Sequence, residues 1–70
     1  MTAVKHLIAE HDVVSFREAA SRWSTGTTGT VVSDYGDVKL VEISDEQGVA
    51  LDYVQMPTAK LELVARHGNS

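Results

Sequence analysis

Residues 38–48 read Val38-Lys39-Leu40-Val41-Glu42-Ile43-Ser44-Asp45-Glu46-Gln47-Gly48, and the chain continues Val49-Ala50-Leu51-Asp52-Tyr53-Val54-Gln55-Met56-Pro57. Two apolar runs rich in β-branched types flank a polar loop, which is the pattern of a β-hairpin. Gly48 can take the left-handed conformation that a bulged hairpin turn needs. The reading is a strand from Val38 to Ser44, a loop over Asp45-Glu46-Gln47-Gly48, and a return strand from Val49 to Gln55. Pro57 has no N–H to give to a ladder and marks the end of that strand. Thr58-Ala59-Lys60 then reads as a single 3₁₀ turn, and Leu61 to Ala65 as a last strand.

Working back towards the N-terminus, Thr30-Val31-Val32-Ser33-Asp34-Tyr35 is a strand stopped by Tyr35-Gly36-Asp37. Asp12-Val13-Val14-Ser15-Phe16 is a first strand. Residues 17–28 lack strand periodicity and read as an irregular loop closing on two glycine-permitted turns, at Gly26 and Gly29. Val4, Leu7 and Ile8 recur at helical spacing, so one or two helical turns are expected over residues 3–10.

The order is strand, long loop, three-strand meander, tight turn, strand. Five short strands in so short a chain point to an all-β protein, a small five-stranded SH3-like barrel. The division is an N-terminal segment over 1–10, the barrel over 11–66, and a frayed tail over 67–70. The expected core is Val13, Phe16, Val31, Val41, Ile43, Val54, Leu61 and Val64.

Four pieces of this pattern carry a resemblance. Asp12-Val13-Val14, Gly26-x-x-Gly29-Thr30-Val31-Val32, Val41-Glu42-Ile43-x-Asp45-x-x-Gly48 and Leu61-Glu62-Leu63-Val64 resemble the small bacterial SH3-like-barrel proteins classed as domain of unknown function 4926. The resemblance covers residues 7–65. It brings no catalytic residues to carry over. What it implies is a paired system with a second small protein, such as toxin and antitoxin. The loop from Ser15 to Trp23 departs from the family pattern in being richer in Ala and Arg.

Composition narrows the function classes. The chain has 70 residues and no Cys, which removes disulfide frameworks and thiolate metal sites and fits a reducing compartment. No apolar run is long enough to span a bilayer as a helix, and the start lacks the apolar core of a signal peptide. A cytoplasmic protein with no membrane association is expected. The hydrophobic fraction of 43% and charged fraction of 23% are those of a globular domain. A chain this short buries only about 60% of its unfolded surface, which leaves little room to enclose a substrate.

The net charge of −4 is set by the middle of the chain. Residues 31–56 carry Asp34, Asp37, Glu42, Asp45, Glu46 and Asp52 against Lys39, a net −5. Such a surface repels phosphates and attracts basic partners. Direct nucleic-acid binding is therefore disfavoured, although Trp23, Tyr35 and Tyr53 are stacking types and Arg17 and Arg22 flank the first loop.

Catalytic readings fare poorly. None of the serines or the three His sits in an activating context such as Gly-x-Ser-x-Gly. General acid work needs a desolvated carboxyl of raised pKa, and Asp45, Glu46 and Asp52 lie about a hairpin tip, which is wet. His6, Glu10, His11 and Asp12 cluster where a helix should give way to a strand, so their side chains are not expected to converge on a metal. Thr25-Gly26-Thr27-Thr28-Gly29-Thr30 lacks the Gly-Lys-Ser/Thr close of a phosphate loop and leads into a strand. No enzyme, no cofactor and no metal is the expectation.

A strand with one solvated face alternates apolar with polar residues. Val13-Val14, Val31-Val32, Leu40-Val41 and Val49-x-Leu51 with Val54 break that alternation, so some of Val14, Val32, Leu40, Leu51, Tyr53 and Met56 must point outward. These residues meet the N-terminal segment, a second copy of the chain, or another protein. Trp23 is either the cap of one barrel end or, like Tyr53, an anchor of the type enriched at binding hot spots. The candidate partner-binding set is Trp23, Asp34, Tyr35, Asp37, Leu40, Asp45, Glu46, Leu51, Tyr53 and Met56. The expected function is a non-catalytic protein-interaction module for a partner with a basic surface, such as an antitoxin paired with a basic toxin. A homodimer stays open. The alternatives are an accessory subunit of a larger enzyme or redox complex, and an RNA- or ribosome-associated KOW-like factor.

Overall fold

The computed structural model describes residues 8–66. Its strands are β1 (Val13–Phe16), β2 (Thr28–Asp34), β3 (Val38–Ser44), β4 (Ala50–Pro57) and β5 (Leu61–Ala65), with a 3₁₀ turn over Thr58–Lys60. All pairings are antiparallel, in one sheet of order β4-β3-β2-β1-β5. There is no α-helix among the described residues. Of the helical turns expected over 3–10, residues 8–10 are described and are not helical; the rest of that segment, and the tail over 67–70, lie outside the described residues.

β4 and β5 are the two edges of the sheet, yet only the three residues Thr58–Lys60 separate them in the chain. Flat, five strands would place those edges about 19 Å apart, whereas three residues of 3₁₀ helix rise only about 6 Å. The sheet must therefore curl, giving the small β-barrel-like fold expected from the strand order. β1 sits between β2 and β5, which makes residues 17–27 a loop that leaves and returns on neighbouring strands. Phe16 and Gly26 close its mouth, the Gly26 N–H donating to the Phe16 carbonyl at 2.8 Å.

Inside lie Ile8, Val14, Phe16, Val31, Val41, Ile43, Val54, Met56 and Leu61, with Ala20, Trp23 and Leu63 packed against them. Two expected core residues are corrected. Val13 is only half-buried, because Phe16 faces inward and the two-residue period puts Val14, not Val13, on the same side. Val64 is 56% exposed: the β1–β5 register steps from Leu63 to Ala65 and leaves Val64 unpaired in a bulge. Val14 and Met56, weighed as outward-facing, are core residues at 0% and 3% exposure. Met56 follows Val54 at the same two-residue spacing, which removes it from the partner-binding set.

Gly29 is also corrected, since it lies within β2 rather than at a turn. A Cβ there would come within 2.6 Å of Val41 Cγ1 and 2.7 Å of the Glu42 carbonyl oxygen. Its glycine permits close backbone approach between β2 and β3, whereas Gly48, at φ +86°, supplies the left-handed turn residue that the hairpin reading required.

The inner face of β3 reads Lys39, Val41, Ile43, opposite Met56, Val54 and Asp52 of β4. The apolar interior thus ends in a polar residue at each pole. Lys39 is 3% exposed, and its ammonium is held by Asp34 Oδ1 at 2.9 Å, Thr58 Oγ1 at 2.9 Å and the Gly36 carbonyl. At the other pole, Asp52 accepts the Trp23 indole N–H at 2.8 Å.

Candidate protein-binding face

The outer side of the β3–β4 hairpin begins with the register. Glu42 stands opposite Tyr53 and Leu40 opposite Gln55, so these side chains share the face that Val41 and Val54 do not. The Tyr53 hydroxyl donates to Glu42 Oε2 at 3.3 Å. Tyr53 is 55% and Leu51 49% exposed, and Val49, at the foot of the hairpin turn, is 58% exposed. Leu40, two residues from Glu42 on the same face, is half-buried.

The turn beside this apolar group is built by Asp45. Its Oδ1 accepts the Gln47 N–H at 2.8 Å and the Val49 N–H at 2.9 Å. Glu46, next to it, is exposed. At the far end of β3, Asp34 does the same work for the other turn, its Oδ1 accepting the Gly36 N–H at 2.8 Å as well as the Lys39 ammonium. Those two contacts, the Lys39 bond first, hold the Asp34 carboxyl below its ordinary pKa. Tyr35 and Asp37 are exposed on this second turn.

β3 has seven residues, so the two turns stand about 20 Å apart. The sequence-predicted set therefore divides. Leu51, Tyr53, Asp45 and Glu46 gather at one end, Asp34, Tyr35 and Asp37 at the other, with Leu40 between. Glu42 and Val49 belong to the first group and were missed. Counting back along both strands from a loop over 45–48 pairs Glu42 with Leu51; the observed register, with its shift between Ile43 and Ser44 that has no sequence mark, brings Glu42 opposite Tyr53 instead.

Trp23 comes from the loop after β1 and is half-buried as the cap of one barrel end, with the Arg22 guanidinium 5.1 Å from its ring centroid. Asp52 is held below its ordinary pKa first by the Trp23 N–H, then by the Tyr53 backbone N–H at 2.9 Å, with the Arg22 charge adding to both.

Burial of Lys39 changes the electrostatics of this region. It is the sole cation among residues 31–56, and it is consumed internally by Asp34. The exposed charges of residues 31–56 are therefore all negative.

Both sheet edges carry features that hinder strand addition. On β4, the Tyr53 N–H is spent on Asp52 Oδ1 and Pro57 has no N–H. On β5, the bulge at Val64 breaks the ladder. The outer face, rather than an edge, is the surface offered.

Among the described residues no pocket opens and no three His, Asp or Glu side chains gather to hold a metal. Of the cluster considered for metal binding, His6 lies outside the described residues. His11 Nε2 lies 3.9 Å from Glu10 Oε1, and Asp12 is buried and accepts the Ala9 N–H at 2.9 Å. No helix among the described residues is long and apolar enough to cross a membrane. No family model, no curated protein and no solved structure matches the chain.

Proposed function

We propose that this chain is a non-catalytic protein-interaction module whose outer β3–β4 face docks a partner with a basic surface. The observation that carries this reading is the pairing of half-exposed Leu51 and Tyr53 with exposed charges of residues 31–56 that are all negative, Lys39 being buried. Apolar anchors supply affinity once water is excluded, and like-signed charge around them selects and orients an oppositely charged partner. The resemblance to the family classed as domain of unknown function 4926 supports a partner encoded as the second half of a pair. An inhibitor covering the basic site of a small toxin is the form we favour. Absence of Cys fits a reducing setting, and the cytoplasm is the compartment we propose.

The test is affinity capture with the tagged chain, repeated with Leu51→Ser plus Tyr53→Ser. A basic protein retained in fixed stoichiometry by the parent and lost by the variant supports the module. That protein should arrest growth alone and be neutralised by co-expression. Subunits of a large enzyme retained instead would favour an accessory role. Capture unchanged by the two substitutions would overturn the assignment of this face.

A further inference from the structure

The structure holds two aromatic side chains that each hydrogen-bond to a carboxylate at the surface. In the first, Trp23 donates to Asp52, and the chain's own Arg22 lies over the indole at 5.1 Å. In the second, Tyr53 donates to Glu42, but among the described residues no cation lies over the ring or within ion-pair distance of the carboxylate. The two pairs share a chemistry: an electron-rich ring face beside a fixed negative charge. That combination suits a guanidinium better than an ammonium, because the flat cation can stack on the ring while its donors fork the carboxylate. The first pair shows the chain using this arrangement on itself.

We propose that the Tyr53–Glu42 pair is a receptor for an arginine side chain of the partner protein, with Leu51 covering the aliphatic stem. This deepens the proposed function and rests on the same face. Three observations favour an arginine on another protein. Residues 31–56 offer no exposed cation to fill the site from within. The net charge of −4 opposes stacking two copies face to face. The Tyr53–Glu42 bond is long, at 3.3 Å, so opening it for a bidentate contact costs little.

The test uses the full ¹⁵N-labelled chain and two capped hexapeptides, alternating Ala-Arg and alternating Ala-Lys, of equal charge. The Ala-Arg peptide should shift the amide signals of Glu42, Leu51 and Tyr53 saturably. It should bind at least about threefold more tightly than Ala-Lys. Glu42→Gln and Tyr53→Leu should each weaken it by about three- to tenfold, while Glu18→Gln, remote and paired with Lys60, leaves it unchanged. Tyr53 is exposed and Glu42 half-buried, and the dispersion of the same spectra checks that both variants fold. Equal binding of the two peptides, shifts centred on Asp37, or no saturable binding would overturn the arginine site. Concentration-dependent shifts at these residues without peptide would assign the occupant to a second copy and overturn the partner's arginine. A captured partner still held by Glu42→Gln and Tyr53→Leu, but lost with Leu51→Ser plus Tyr53→Ser, would remove this site and leave the interaction module standing.

Discussion

Trp23 Nε1 and Asp52 Oδ2 meet at 2.8 Å, joining the loop after β1 to the edge strand β4 across 29 residues of chain. Because the protein has one tryptophan, its emission reports on the surroundings of this indole, the Asp52 bond among them. An acid titration of the fluorescence should show an inflection below the usual carboxylate range, since the indole N–H and the Tyr53 N–H hold Asp52 ionised. Asp52→Asn should abolish the inflection. An inflection within the usual range would mean that the bond is not maintained in solution.

Lys39 tests the opposite pole. A buried cation is costly to desolvate, and replacing it with an apolar residue of similar volume is often neutral or stabilising. Lys39→Met should therefore unfold in urea at a midpoint no lower than the parent's. Asp34→Asn should be less stable than Lys39→Met, because it leaves the ammonium buried with only neutral acceptors. Combining the two should cost less, relative to Lys39→Met, than Asp34→Asn costs the parent, a coupling that independent sites would not show.

Both poles also set the acid response. Asp34 and Asp52 have folded pKa values depressed below their unfolded ones. As pH falls, the unfolded chain takes up protons first, so the stability these groups contribute is present above the unfolded carboxylate pKa and lost as pH falls through the folded value. Urea midpoints should be level from neutral pH down to about pH 5 and fall below about pH 4. The Asp34→Asn plus Asp52→Asn variant should start lower and fall less steeply.

Much of this fold is legible in the residue pattern because the signals there are local. Val38–Ser44, Thr58–Lys60 and Leu61–Ala65 have the boundaries that β-branched runs, a hairpin glycine and Pro57 dictate. β4 runs two residues further than read, because Pro57 can close an edge strand whose other side faces no neighbour. The Val13-Val14 doublet was misread because adjacent valines give no phase. Phase had to come from Phe16 two residues beyond Val14, and from a bulge on β5 that has no sequence mark.

The candidate site was less legible, and for a different reason. Met56 and Lys39 were assigned by residue type, yet strand period alone puts both inside, two residues from Val54 and Val41 respectively. Asp34 and Asp45 were read as free surface charge, whereas each spends its carboxylate on its own turn. The Trp23–Asp52 bond depends on where an irregular loop lands, and nothing within either segment announces it.

Gly29 offers a packing test. Alanine there places a methyl against both Val41 Cγ1 and the Glu42 carbonyl oxygen, and the second is backbone that cannot rotate aside. Gly29→Ala should cost about 1–3 kcal/mol, as overpacking does. Leu51→Ala, half-exposed, should change stability by no more than about 0.5 kcal/mol. Chemical denaturation of the two variants side by side separates strand contact from surface exposure.

The division of the acids into structural and free changes how steering should be tested. Substituting Asp34 or Asp45 would loosen a turn, and a slower association could then be blamed on a disturbed fold. Asp37 and Glu46 are exposed, at opposite ends of β3, and neither side chain is engaged in a turn bond. Asp37→Asn plus Glu46→Gln should slow association with a basic partner about three- to tenfold at low salt and flatten its dependence on ionic strength, with dissociation nearly unchanged. Tyr53→Leu should do the reverse, because an anchor acts after encounter: dissociation speeds up while the salt dependence stays as it was. Stopped-flow association and dissociation rates at several salt concentrations measure both. If the two variants shifted the same rate constant, the separation of steering from anchoring on this face would be wrong.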